Sequence, residues 1–468
     1  MRPLLLGLLL LLTVPLALLW WLKFDHGEPT VEVEPAAAVV GRKASWDVVA
    51  SSPGRTGLRS VEIWLSGEGK TVELFSEEFP AVGWMGSGVA ERSMHIDADL
   101  GERGVTEGNW RMEVFAETHA WHVIPPRRHP VVQRDLQIDL TPPLVTLLTT
   151  QHNIRLGGAS LALFRVGEDT TSAGVAVGDY FFPAIRGYFD DPNVALCIFA
   201  VPENLSTDAA VSVRATDAVG NTRSATLPRN IRGRTFRERS LEIDDAFLGR
   251  KIPEIYASLH LPEPADLVQG YLHVNREVRR ESEKKLKEVT AKSEPVPLWD
   301  GAFRRQSNAA PMSNFADRRT YLYKGQPIDH QTHLGFDLAS LQRAPVDAAQ
   351  NGVVVFADML GIYGNTVVLD HGFGIFSLYG HLSTVAVKVG QRVKVGESVG
   401  QTGDTGLAGG DHLHFSIMIH GTHVDPVEWW DPHWLKDHVS DPMAMFPAKA
   451  KQTEEVRKEI AEPSPTNG

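Results

Sequence analysis

The spacing of apolar positions changes along this chain, and each spacing predicts a different element. Residues 3–22 read PLLLGLLLLLTVPLALLWWL and carry no charge. At about 1.5 Å per residue such a run spans roughly 30 Å as a helix, the thickness of a hydrocarbon core. The pattern predicts an N-terminal transmembrane helix, with Trp20 and Trp21 placed where an aromatic belt lies. Arg2 precedes the run and Lys23 follows it, a slight bias toward a cytoplasmic N-terminus. A cleaved signal peptide is the competing reading, but the run is long for one and no small-x-small site follows it. Either reading sends the rest of the chain across the membrane.

From 28 to 140 the period falls to two. Val61, Ile63 and Leu65 alternate with polar residues, and the segment Arg111 to Ala116 behaves alike, as half-buried strands require. This predicts a β-sandwich module. A second module, 141–229, begins after Leu140-Thr141-Pro142-Pro143 and ends near the strand Val211–Ala215. Its following Asp217-Ala218-Val219-Gly220-Asn221 resembles the end of bacterial immunoglobulin-like repeats, where the Asp and Asn cap a turn. Cys197 lies in an apolar strand, Val194 to Ala200, and reads as a core residue rather than a nucleophile. Residues 230–297 read as a helical connector, with a capped start at Ser240 and a longer helix from Pro264 to about Lys292. The stretch Arg276 to Lys292 is dense in both charge signs and reads as a solvated helix. Residues 298–432 hold short strands with Gly-containing turns, which predicts a compact antiparallel β unit. The tail, 448–468, is polar, contains Pro463 and Pro465, and reads as disordered. The fold class is therefore mainly β: a transmembrane helix, two immunoglobulin-like sandwiches, a helical connector and a C-terminal β domain.

Composition narrows the chemistry. The chain has 468 residues and a net charge of −12, with no basic block, which argues against a nucleic-acid partner. One cysteine excludes a disulfide framework and a Cys-rich metal site. A metal would have to be held by histidine and carboxylate. Of 18 histidines, His330, His333, His371, His381, His412, His414, His420 and His423 fall within about a fifth of the chain.

Three local patterns organise them. His333-Leu334-Gly335-Phe336-Asp337 puts an imidazole and a carboxylate on one face at i and i+4. His412-Leu413-His414-Phe415, in an apolar strand, projects both histidines to one side. Tyr379-Gly380-His381 adds a third histidine. His371 reads as a turn residue, and His330, which lacks an acid four positions on, as no ligand. His420 and His423, beside a Gly turn, read as surface residues.

In this order, with Val424-Asp425-Pro426 following, the motifs resemble the LytM/lysostaphin-type zinc metallopeptidases over residues 298–432. The resemblance implies Zn2+ bound by His333, Asp337 and His414, with His381 and His412 as the two remaining active-site histidines. Two imidazoles and one carboxylate leave a fourth position open, which is the arrangement of a catalytic site rather than a structural one. No His-Glu-x-x-His helix is present, so a thermolysin-like site is excluded. Ser313-Asn314-Phe315-Ala316-Asp317-Arg318 is similar to the family's opening segment, with Ala316 where the family has Gly. Arg318 matches the family's Arg, either to bind a substrate carboxylate or to frame the groove through a salt bridge.

The resemblance implies a zinc endopeptidase acting on peptide bonds of peptidoglycan cross-links. Single-pass anchoring in the cytoplasmic membrane would leave the bulk of the chain periplasmic or extracellular. A Gram-negative envelope is expected, since no wall-anchoring repeats are recognisable. The β modules would serve as spacers or as docking surfaces for envelope protein partners. The alternative is a non-catalytic envelope regulator that activates other cell-wall hydrolases; retention of all five active-site residues argues against it. A lipoyl-like carrier, drawn from the Gly-punctuated strands at 385–405, needs a lysine at a hairpin tip, whereas Lys388 and Lys394 lie within alternating segments.

Overall fold

Strand Lys43–Ser51 buries every second residue, and the same two-residue period recurs in Thr30–Glu34 and Glu91–Asp99. In a computed structural model, which describes residues 13–21, 23–24, 27–81, 87–121 and 128–449, these three strands form one antiparallel sheet. A five-stranded sheet faces it, in the order Val39–Val40, Val132–Ile138, Gly108–Thr118, Leu58–Gly67 and Lys70–Glu78. One apolar cluster joins the two sheets and includes Trp46, Val61, Ile63, Leu65, Trp110, Met112 and Val114. Alternation with one face solvated and one face buried is what an antiparallel sandwich requires.

Contacts divide the chain into two units, Met1–Pro143 with Thr216–Arg223, and Leu144–Ala215 with Ser224–Gly468. Among the described residues no helix is long and apolar enough to cross a membrane. Most of the expected span at 3–22 falls on residues 1–12 and 22, outside the described residues; 13–21 are helical. The polar tail, from 450 on, also lies outside them. The turn expected at Asp217–Asn221 forms: Asp217 Oδ1 accepts from the backbone N–H of Val219 and of Asn221, each at 2.9 Å.

In the larger unit, strand Val194–Ala200 lies between Ile185–Arg186 and Ala159–Val166 and is buried along its whole length. The reason is that both faces are covered: residues 154–231 and 296–439 share one hydrophobic cluster. Cys197 is inside it, and burial pushes its thiol up to about 12, so it is a core residue and no nucleophile. The C-terminal part is built on an antiparallel sheet in the order Ala310–Ser313, Phe336–Ala339, Leu413–Ile419, Ile375–Leu382, Asn365–Asp370, Gly352–Met359 and Arg392–Val393. Thr422–Val424 pairs with the third of these.

The connector differs from its expected form. Ser240 is no cap; it sits in strand Glu238–Glu242, which pairs in parallel with Arg318–Tyr323. The helix starts later, at Asp245–Ser258, where Asp244 accepts from Phe247 N–H at 2.7 Å. Pro264 precedes the next helix, Leu267–His273, which Asp266 caps. A π turn at Val274–Val278 leads into Arg279–Val289. This last helix is not wholly solvated: Ser282 and Leu286 are buried.

Glu428, in the short helix Pro426–Trp430, is buried and accepts from the Ala159 N–H at 3.1 Å. Burial pushes its carboxyl up to about 7. Its folded value lies above the ordinary 4.5, so its contribution to stability is full below about pH 4.5 and is lost as pH rises through about 7. Chemical denaturation from about pH 4.5 to about pH 8 is expected to show wild type losing roughly 3 kcal/mol more than Glu428→Gln. Parallel pH curves for the two proteins would contradict this.

Candidate metal centre

Asp337 and His414 are cross-strand neighbours in the central sheet, on Phe336–Ala339 and Leu413–Ile419. His333 lies four residues before Asp337, in a bend closed by the hydrogen bonds Ala316 N–H to His333 O and His333 N–H to Asp317 O. Ala316 has φ of 60°, the left-handed region, which explains why glycine is the easier residue there. The three side chains converge. His333 Nε2 is 2.9 Å from Asp337 Oδ1 and 3.1 Å from His414 Nδ1, and His414 Nδ1 is 3.0 Å from Asp337 Oδ1.

The outer nitrogens show what these inner atoms carry. His333 Nδ1 is 2.9 Å from the Asn314 carbonyl, so it is the N–H and donates. His414 Nε2 is 3.1 Å from Ser416 Oγ, whose own hydroxyl donates to the Leu334 carbonyl at 2.8 Å. Ser416 therefore accepts from His414. Both inward nitrogens are left with lone pairs, aimed at a carboxylate oxygen about 3 Å away. Three acceptors facing one another call for a cation between them, either a metal ion or protons carried by the imidazoles. Tetrahedral zinc, with bonds of about 2.0–2.1 Å, places its donors roughly 3.3 Å apart, close to the separations found. The donor set fits Zn2+, and one direction remains open.

Gly335 permits this packing: a Cβ there would stand 2.3 Å from His414 Nε2 and 2.6 Å from Ser416 Oγ. Beyond the donors, Arg319 Nη2 donates to Asp337 Oδ2 at 2.9 Å. Burial favours the neutral acid at Asp337, but His333, His412 and His414 outweigh it and hold its pKa well below the carboxylate range. Burial pushes His414 down to about 4.

His381 and His412 stand beside the donors, with ring centroids 4.9 Å apart. Each donates Nδ1–H to a backbone carbonyl, His381 to Thr405 at 2.8 Å and His412 to Gly410 at 2.7 Å, which leaves the Nε2 of each outside those bonds, that of His412 lying 3.6 Å from Asp337 Oδ1. His381 has φ of 61°, a strained conformation held by its surroundings. Burial, with His412 and His414 nearby, keeps its pKa well below the usual value. At His412, burial is outweighed by the hydrogen bond to Asp337, and the pKa rises. The loop carrying the two carbonyls is pinned by helix Asp245–Ser258: Arg250 pairs with Asp404 at 2.9 Å, and buried Lys251 donates to the Asp404 carbonyl.

All five histidine and aspartate candidates line one cavity of about 310 Å³. Arg318 does not. It pairs with Glu203 at 3.2 Å, bonds Thr332 and packs over Phe236, so it frames the structure instead of contacting a substrate in this cavity. Its neighbour Arg319 faces the cavity, because adjacent strand residues point to opposite faces. His371 is structural, bonded to Asn351 O and Ser377 Oγ, both at 2.7 Å. His423 is not on the surface: it is buried and pairs with Glu283 at 3.1 Å. Glu283 also accepts from Tyr363, whose ring lies 5.2 Å from that of His414. Tyr363 and Arg319 escaped the sequence reading, and only the Arg-Arg pair in strand 318–323 gave a signal.

Residues 331–426 match the family described as Peptidase family M23. The C-terminal domain is of this LytM/lysostaphin type. The chain is 41% identical over 107 residues to the DD-carboxypeptidase/endopeptidase Mpg of Neisseria meningitidis, covering 22% of this chain and 25% of that one. It is 34% identical over 146 residues to the peptidoglycan DD-endopeptidase ShyA of Vibrio cholerae, covering 31% and 33%. The chain thus spans a quarter to a third of the length of these relatives. A solved structure, the catalytic domain of lysostaphin from Staphylococcus simulans, is similar at 29% identity and a TM-score of 0.23, covering 26% of this chain and 92% of that one.

Because a Cβ at position 335 would displace His414, Gly335→Ala is expected to weaken metal binding at this cluster by about 10–100-fold without removing any donor. Competition with a chelator of known affinity measures this; unchanged affinity would show that the close packing is not needed.

Proposed function

We propose that this chain is a zinc-dependent endopeptidase that hydrolyses peptide bonds in peptidoglycan cross-links. The observation that carries this reading is the convergence of two imidazole lone pairs and a carboxylate beside a second histidine pair, inside one cavity. His333, Asp337 and His414 would hold Zn2+, which when bound would supply Lewis acidity toward the scissile carbonyl and the attacking water. Arg319 and the Asn314 carbonyl orient the donors. His381 and His412 work as a pair. With Nδ1–H fixed on a carbonyl, either neutral imidazole can accept the proton of the attacking water at Nε2 and pass it to the leaving amine, and an imidazole that carries a second proton at Nε2, the state the raised pKa of His412 favours, can donate it to the developing oxyanion. The relatives named DD-endopeptidases favour a bond between D-configured centres.

The run at 3–22 supports a single-pass anchor in the cytoplasmic membrane, with the catalytic domain periplasmic or extracellular. The β modules then set the distance to a substrate fixed in the wall and offer surfaces to envelope proteins. The completeness of the donor set and the presence of both assisting histidines weigh against the other reading, a non-catalytic regulator.

Digestion of isolated peptidoglycan, with mass analysis of the products and metal analysis of the protein, tests the proposal. Wild type is expected to carry Zn2+ and release cross-link fragments. His414→Ala should lose the metal and the activity. His381→Ala and His412→Ala should retain the metal and lose about 10²–10⁴-fold in rate. Equal release by wild type and His414→Ala would overturn the reading.

A further inference from the structure

The cavity wall built by the connector holds a cation that has no anion. Strand Glu238–Glu242 lies parallel to Arg318–Tyr323 in a register that sets Arg239 directly beside Arg319, and both line the cavity. Like charges side by side on neighbouring strands are unfavourable unless each is compensated. Arg319 has its counter-charge in Asp337. Arg239 does not: its Nη1 donates only to the Met312 carbonyl at 3.2 Å and to Ser313 Oγ at 3.3 Å. Among the described residues it makes no ion pair. Glu242 lines the same cavity, but its Oε1 accepts from the Gly325 N–H at 3.1 Å. Arg279, the remaining arginine of the lining, makes no ion pair among the described residues either, but Asn275 takes both its Nε, through the carbonyl at 3.0 Å, and its Nη2, through Oδ1 at 2.6 Å.

The strand's alternation sets what lies next to Arg239. Leu241 and Ile243 follow at two-residue steps and line the cavity with it. The wall is thus cationic at one end and apolar beyond, and it faces the His333, Asp337 and His414 cluster. A guanidinium offers only donors, in a planar fork that matches a carboxylate.

We propose that Arg239 binds a free carboxylate on a residue flanking the scissile bond, so that the preferred substrate is a cross-link peptide in which this group is not amidated. The inference rests on the hydrolase reading above and adds to it the charge of the substrate. A carboxamide in the same place would bring its own N–H donors against those of Arg239 and would supply no compensating charge.

The test uses the full chain loaded with Zn2+ and two cross-linked peptide dimers that differ only in a carboxylate or a carboxamide beside the scissile bond. Wild type is expected to favour the carboxylate form by about 10–100-fold in kcat/KM. Arg239→Gln should collapse that ratio to near one, and Arg239→Lys should restore part of it. Equal kcat/KM for both dimers in wild type, or a ratio unchanged in Arg239→Gln, would overturn the subsite alone. Cleavage of neither dimer would overturn the hydrolase reading and the subsite with it. Bound Zn2+ measured in every variant separates loss of the subsite from loss of the fold.

Discussion

The C-terminal domain is organised around three hydrogen-bond acceptors forced together near Asp337. A carboxylate and two imidazole lone pairs within about 3 Å repel one another unless a cation stands between them. Surrounding features hold the donors in this otherwise unfavourable arrangement. The strand register sets Asp337 opposite His414, Gly335 leaves room for the imidazole, and Ser416 and Asn314 fix which nitrogen faces inward. Arg319 takes up the second carboxylate oxygen.

The connector belongs to this arrangement as much as the central sheet does. Its strand Glu238–Glu242 adds an edge beside Arg319, and its first helix fastens the loop whose carbonyls orient His381 and His412. Its last helix sends Glu283 to Tyr363 and His423, behind the His414 ring. A segment whose charge pattern reads as solvent-facing thus closes one side of the cavity. The charges that matter are the few that point inward, and composition averages over them.

The same distinction separates what could be read along the chain from what could not. HxxxD and HxH are short-range patterns, and the geometry of a bend and of a strand brings each pair to one face. That is why His333, Asp337, His412 and His414 stand out in a bare sequence. Arg318 and Arg319 show the limit: two identical residues in succession, of which only one can face the cavity. Their parity is set by pairing with Thr332 and Gln331 on one side and with Glu238 and Arg239 on the other. His423 shows it again. Beside a Gly turn it reads as exposed, yet it is buried by a helix about 140 residues away in the chain.

The sequence by itself determined the mainly β character, the burial of Cys197 and the shortage of cysteine ligands. These follow from local periodicity and from residue chemistry, which need no knowledge of distant partners, whereas the identity of the donors among the clustered histidines was implied by the resemblance to the metallopeptidase family. Only the tertiary structure decided which arginine serves Asp337, that Ser240 joins a strand, and that Arg239 reaches the cavity without a counter-charge. Those outcomes depend on strand register and on helix packing. Register is a relation between segments far apart in the chain, and a shift of one residue would send every side chain of a strand to its other face.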